Sequence, residues 1–310
     1  MRKLIFGLCL FTSLATFGQE LRTIEGYMNG VHLMAFSPDG KTLLTGSGVS
    51  TNQAHLVDVA TGERIKELEG FTDAVTEGLW APSGDWFYTS SGVGPSIKIW
   101  SKAGELQRTL EYKGCEFGSH MAIRPDEKQF AVSCDDDVIL FNEKWEQTHE
   151  FEAPDLYVAS TYWPDESHII IASAGTWLEI VDLKTEEWVR AELDLGGKML
   201  EILPSGELMA TEFYFFKSDE PYVRFFKDGE EKSNFTNEGK ILFAKWVAGK
   251  EKVLLALSGG QVKLVNKDGS EAHDFGRLGT VALSADVTKD GKTAAIGFLD
   301  RIVLIDLSSF

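Results

Sequence analysis

Ala35-Phe36-Ser37-Pro38-Asp39-Gly40-Lys41-Thr42-Leu43-Leu44 sets two short apolar runs on either side of a Ser-Pro-Asp-Gly turn. Proline presets φ at the second turn position, aspartate bonds its own backbone and glycine accepts positive φ, so the segment reads as a β-hairpin. The hairpin recurs. Ala81-Pro82-Ser83-Gly84, Arg124-Pro125-Asp126-Glu127, Trp163-Pro164-Asp165-Glu166, Leu203-Pro204-Ser205-Gly206, Val247-Ala248-Gly249-Lys250 and Thr288-Lys289-Asp290-Gly291 stand in equivalent contexts, at steps of 44, 43, 39, 40, 44 and 41 residues. A period near this value with several short strands per unit points to an all-β, seven-bladed β-propeller of four-stranded antiparallel blades.

Each unit reads as strand, turn, strand, loop, strand, strand. In the first these are Val31–Ser37, Lys41–Gly46, Ala54–Asp58 and Arg64–Glu69. Runs such as Ile97-Lys98-Ile99-Trp100, Val138-Ile139-Leu140-Phe141 and Ile302-Val303-Leu304-Ile305 carry more apolar residues than a sheet with one wet face requires. Sheets covered on both sides explain this. The last unit supplies only three strands, Thr280–Ala285, Lys292–Phe298 and Arg301–Leu307. The missing fourth is expected at the other end, because Leu21-Arg22-Thr23-Ile24-Glu25-Gly26-Tyr27 matches the blade ending Leu68-Glu69-Gly70-Phe71. The N-terminal strand should complete the last blade and close the ring.

Residues 1–19 read differently. Met1-Arg2-Lys3 is a cationic start, Leu4 to Phe17 is apolar but short for a membrane span, and Gly18-Gln19 follows. This pattern predicts a secretory signal peptide, a single propeller domain over 20–310, no membrane span in the mature chain, and a periplasmic or secreted location. The formal net charge is −18. Removing a leader that holds Arg2 and Lys3 makes the rest more acidic, which argues against nucleic acid as a partner.

The units resemble the WD-repeat family of seven-bladed propellers over about residues 20–310. The resemblance rests on Phe36-Ser37-Pro38-Asp39-Gly40-Lys41, on Ile97-Lys98-Ile99-Trp100 and on turns such as Thr61-Gly62-Glu63. The family's Gly-His stands here as Gly26-Tyr27 and Gly70-Phe71. Its Trp-Asp stands as Trp100-Ser101, Val181-Asp182 or Ile305-Asp306, so the buried Asp-His-Ser-Trp network is mostly absent. The resemblance implies a rigid platform for proteins or peptides.

Motifs for chemistry are sparse. His32, His55, His120, His149, His168 and His273 show no metal-ligand spacing. Asp135-Asp136-Asp137 reads as a turn, with Asp300 its counterpart in the last blade, and not as a calcium loop. No nucleophile elbow, phosphate loop or dinucleotide fingerprint occurs. Cys115 and Cys134 stand near each other in the third unit, as a disulfide or as free thiols. The expectation is a monomer without catalytic residues, metal or cofactor.

In a propeller the loops from outer strand to next inner strand, and from second to third strand, share one end. Those loops hold Tyr27, Asn29, Phe71, Asp73, Phe117, Asp155 and Tyr157, the candidate residues for binding a protein or peptide. Tyr27 and Phe71 have an alternative reading, in which they replace the family histidine and pack inward. The alternative function is a propeller enzyme, a hydrolase or lactonase, with acids or histidines converging at the central channel.

Overall fold

A computed structural model of the chain describes residues 21–27, 29–48, 53–91, 96–111, 120–135, 137–152, 158–173, 177–192, 198–212, 222–227 and 230–310. The signal-peptide reading of residues 1–19 and the site candidates Phe117, Asp155 and Tyr157 lie outside these residues, as does Cys115.

The hairpin turns form as their chemistry dictates. Ser37 donates from its backbone N–H to the Thr42 carbonyl, and the Gly40 N–H, at φ +69°, donates to the Ser37 carbonyl. The Ser37 hydroxyl donates to Asp39 Oδ1 (2.7 Å), which also accepts from the Lys41 N–H (3.1 Å). The Ser37 hydrogen bond, with that from Lys41, lowers the Asp39 carboxyl below its ordinary value. Thr288, Asp290 and Lys292 repeat this arrangement in the last unit, with 2.8 and 3.1 Å bonds to Asp290 Oδ1.

The strands fall into seven four-stranded antiparallel sheets arranged as a ring. Strand β1 (Leu21–Glu25) comes first in the chain. Blade 1 is β2 (Val31–Phe36), β3 (Thr42–Ser47), β4 (Ala54–Asp58) and β5 (Arg64–Leu68). Blade 2 is β6 (Val75–Trp80), β7 (Trp86–Ser91), β8 (Ser96–Ser101) and β9 (Leu106–Glu111). Blade 3 is β10 (His120–Ile123), β11 (Gln129–Cys134), β12 (Asp137–Asn142) and β13 (Gln147–Glu152). Blade 4 is β14 (Val158–Tyr162), β15 (His168–Ser173), β16 (Trp177–Asp182) and β17 (Trp188–Glu192). Blade 5 is β18 (Lys198–Ile202), β19 (Leu208–Glu212), β20 (Tyr222–Lys227) and β21 (Glu230–Thr236). Blade 6 is β22 (Ile241–Val247), β23 (Lys252–Leu257), β24 (Gln261–Asn266) and β25 (Glu271–Arg277). Blade 7 is β26 (Ser284–Val287), β27 (Thr293–Gly297) and β28 (Arg301–Asp306), completed by β1. The register of β1 on β28 runs from Leu21↔Ile305 to Glu25↔Arg301, so the two ends of the domain meet in one sheet.

Among the described residues the buried apolar side chains form one cluster at each interface between consecutive blades. Blades 7 and 1, for instance, pack Ile24, Ile302 and Leu304 against Met34, Phe36, Leu43 and Val57. Burial on both faces is what the weakly alternating strands predict. Inner strands carry register shifts at Val31/Leu33, Val75/Glu77, Val158/Ser160 and Ile241/Phe243. Such bulges add twist where the sheets crowd the axis.

One expected strand is displaced. The inner strand of blade 7 covers Ser284–Val287 and not Thr280–Ala285. The preceding segment is held between blades 6 and 7: the Leu278 N–H donates to the Gly260 carbonyl of blade 6 (2.9 Å), and Gly279 lies so close to the Phe298 ring of blade 7 that a Cβ there would sit 2.3 Å from it.

Candidate functional site

The connections from β1 to β2, β5 to β6 and β25 to β26 lie at the same end of the ring as those from β3 to β4 and β27 to β28. Tyr27, Asn29, Phe71 and Asp73 all belong to this end. Tyr27 is buried, at 3% exposure. Its hydroxyl bonds Thr45 Oγ1 at 3.0 Å, its ring meets His55 edge-on, and the Arg64 guanidinium lies 4.6 Å from the ring centre. Arg64 in turn donates to the Glu25 carbonyl (2.7 Å). Tyr27 therefore follows the inward reading and is no exposed anchor. Phe71 is half-buried, 5.7 Å from Trp100, with Lys98 Nζ 5.9 Å from its ring centre. Asn29, at φ +64°, and Asp73 are exposed. Beside them on blade 7, Val281 and Leu299 are 41% and 47% exposed. His55 sits below Tyr27, and burial lowers its imidazole pKa, with the Arg64 charge adding to the effect against Glu67.

A second arrangement lies on the wall of the central channel. Counted from the hairpin turns, Ala35, Leu79, Ala122, Glu201, Lys245 and Asp286 hold one position on six of the seven inner strands, and Tyr162 in blade 4 stands one residue nearer its turn. Blades 1 to 3 are apolar there, and blades 4 to 7 carry a phenol, two carboxylates and an ammonium. Asp286 Oδ2 accepts the Phe36 backbone N–H (2.8 Å), and Glu201 Oε2 accepts that of Trp246 (3.1 Å). In both cases an inner-strand acid satisfies a donor on the next blade. Lys245 Nζ stands 4.0 Å from Asp286 Oδ1, and these two side chains are 32% and 25% exposed.

Burial raises the carboxyls of Asp286 and Glu201, against the pull of Lys245 and of the backbone N–H bonds. Burial alone would lower the Lys245 ammonium. The surrounding groups, Asp286 first and then Glu201, Tyr162 and Glu77, outweigh it and raise the value. Above this level His120 Nδ1 lies 3.5 Å from Glu77 Oε2. Among the described residues no three His, Cys, Asp or Glu side chains converge as a metal site requires.

The sequence profile described as "WD domain, G-beta repeat" matches residues 18–50 and 62–101. A solved structure titled "Structure of U3-55K" aligns over 94% of this chain and 100% of that one, with a TM-score of 0.77 and 12% identity. The chain is a seven-bladed β-propeller with WD-repeat-like units in its N-terminal part. No curated protein matches its sequence significantly. Since 1662 chains of solved structures match, the likeness concerns the fold and singles out no activity.

WD-repeat propellers are generally non-catalytic scaffolds that bind proteins. In this chain, bonds stand at the positions of that family's buried network in altered form. Trp100 on β8 donates its indole N–H to Thr89 Oγ1 (2.9 Å). Tyr27 occupies the histidine position and bonds Thr45 on the second strand, whereas Phe71 fills the same position in the next blade by packing on Trp100. Indole N–H groups also join blades: Trp80 donates to the Ala35 carbonyl (3.1 Å) and Trp163 to that of Ala122 (3.3 Å). Asp135 lies in a turn and Asp300 in a bend between strands. The Asp135 carbonyl accepts the Val158 N–H (2.7 Å), and the Asp300 carboxylate accepts from Arg301 (3.1 Å).

Sequence reasoning missed the channel arc. The signal was present: the inner-strand residue three before the turn proline or its equivalent is apolar in Ala35, Leu79 and Ala122, is Thr161 in blade 4, beside Tyr162, and is charged in Glu201, Lys245 and Asp286. Reading that column requires aligning the blades by turn, since nothing within one blade marks it.

Proposed function

We propose that the protein is an exported, non-catalytic propeller that binds a protein or peptide through its loop-rich end. The observation that carries this reading is the surface of that end in blades 7, 1 and 2. Exposed Val281 and Leu299 and half-buried Phe71 lie among the polar Asn29 and Asp73. Apolar side chains rimmed by polar ones on a rigid support suit a partner that buries the former and bonds the latter. The family profile supports the same class of function. Export rests on the sequence of residues 1–19. Among the described residues no helix is long and apolar enough to cross a membrane.

Phe117 and Tyr157 fall in the sequence between the outer strand of one blade and the inner strand of the next. Replacing both with alanine is expected to weaken capture of the partner by roughly tenfold or more, the range for aromatic interface anchors. The melting temperature should move by no more than a few degrees. A large loss of stability would place both rings in the core and contradict the proposal. Undiminished binding would contradict it equally.

A further inference from the structure

At the opposite end of the ring, between blades 2 and 3, a cleft of about 320 Å³ is bounded by Trp86, Trp145, Phe130, Glu127, Arg108 and Glu143. Three of its positions differ from their counterparts in other blades. The turn between inner and second strands is closed by a residue with positive φ, which is Gly40, Gly84, Gly206 and Gly291 in blades 1, 2, 5 and 7. Blade 3 places Glu127 there at φ +57°. The turn between third and outer strands is closed in the same way by Gly104 and Gly269, and blade 3 places Trp145 there at φ +66°. The residue that ends the first turn is Thr42 in blade 1, Gln129 in blade 3 and Thr293 in blade 7. In blade 2 it is Trp86. Left-handed backbone disfavours bulky side chains, and such strain persists where the surroundings hold it. Here two strained positions and one unusual tryptophan converge on one cleft.

What they build is a fixed aromatic corner. Glu127 Oε2 accepts the Trp86 indole N–H (2.9 Å) and the Ser83 hydroxyl (3.1 Å), while Oε1 accepts the Ser83 backbone N–H (2.5 Å). This sets the Trp86 ring. Trp145 stacks on Phe130 at 4.4 Å and 8°, and meets Trp86 at 5.7 Å and 76°. Both indoles remain half-buried. Gln107 and Arg108 on β9 and Glu143 in the turn after β12 are exposed around them, and their side chains make no hydrogen bond to another described residue. The rim thus offers donors from an amide and a guanidinium, and an acceptor carboxylate.

We propose that this cleft binds a single sugar ring, free or at the end of a glycan. The C–H face of a pyranose carries partial positive charge and packs on the negative face of an indole. Its hydroxyls both accept and donate, which Arg108, Gln107 and Glu143 match. The volume lies at the small end of the range for ligand sites. A polyproline segment needs a groove that runs along several residues, whereas Glu127 closes this corner to one side.

The full-length protein is titrated with maltotriose, mannotriose, xylotriose, lactose and chitotriose, followed by tryptophan fluorescence. The expected result is saturable binding of at least one sugar. Trp145→Gly, which installs the residue found there in blades 2 and 6, should weaken it roughly tenfold or more while the protein stays folded. Arg108→Ala, an exposed change with little bearing on folding, should weaken it severalfold. Absence of binding by every sugar overturns the proposal, as does affinity unchanged in Trp145→Gly. Saturable binding of a proline-rich decapeptide at the cleft in place of the sugars overturns it too. The site lies at the end opposite the proposed partner surface, so its failure leaves that reading untouched.

Discussion

Deleting residues 20–27 is expected to abolish the folded domain. The segment supplies the outer strand of blade 7 through five residue pairs with β28. It also buries Ile24 and Tyr27, at 7% and 3% exposure. Removing a buried aliphatic and a buried aromatic side chain costs about 2–5 and 3–5 kcal/mol respectively. Thr45 would lose its hydroxyl partner, and Arg22, which donates to the Val59 carbonyl (2.9 Å), would no longer tie β1 to the turn after β4. The sum approaches the whole stability of an ordinary domain, about 5–15 kcal/mol. Circular dichroism of the deletion should show no cooperative thermal transition. An unchanged melting temperature would mean that the ring does not depend on this strand.

Asp286→Ala is expected to be among the most destabilising single changes. It leaves the Phe36 N–H without its acceptor and the Lys245 ammonium without its nearest carboxylate. Breaking a buried charged pair costs about 3–5 kcal/mol, and the partial exposure of both groups places this one near the lower figure. Adding Lys245→Met should recover part of the loss, because the uncompensated charge goes with it. Purely additive losses in the double variant would show that the two side chains are uncoupled.

The pH dependence follows from the same geometry. A carboxyl raised in the folded state contributes stability that is fully present below its unfolded value and is lost as pH rises through its folded value. Asp286 and Glu201 act in this sense. The turn aspartates Asp39, Asp126 and Asp290 act in the opposite one, since their lowered values give stability that is lost on acidification. Glu201→Gln with Asp286→Asn keeps an acceptor for each backbone N–H and removes the first contribution, while the lost pairing with Lys245, protonated at acid and neutral pH alike, lowers stability by an amount that does not vary with pH. Chemical denaturation from about pH 4 to pH 7 should therefore show the double variant gaining relative to wild type as pH rises.

The ring was legible in the sequence because its punctuation is local. Proline, aspartate and glycine write the turns after Phe36 and Val287, and the match between Leu21–Tyr27 and Leu68–Phe71 reveals the closing strand. The displaced inner strand of blade 7 was not legible, because the segment before it is fixed by the Gly260 carbonyl of blade 6 and the Phe298 ring beyond β27, contacts that no local pattern around Thr280 reports. Tyr27 remained ambiguous for a related reason. A tyrosine after Gly26 suits an exposed anchor as well as a buried histidine substitute, and only Thr45 opposite it decides. The channel arc and the Trp86–Trp145 corner became visible only when equivalent positions of different blades were brought together. Each is ordinary within its own blade and unusual against its sisters.

The most direct test of the binding surface is hydrogen exchange of the protein bound to its captured partner, compared with the protein alone. Protection is expected in residues 26–30, 69–74, 278–283 and 298–300, with the turns at 37–41, 81–85 and 288–292 at the other end unchanged. Protection confined to those turns, with the loop-rich end exchanging as in the free protein, would contradict the account.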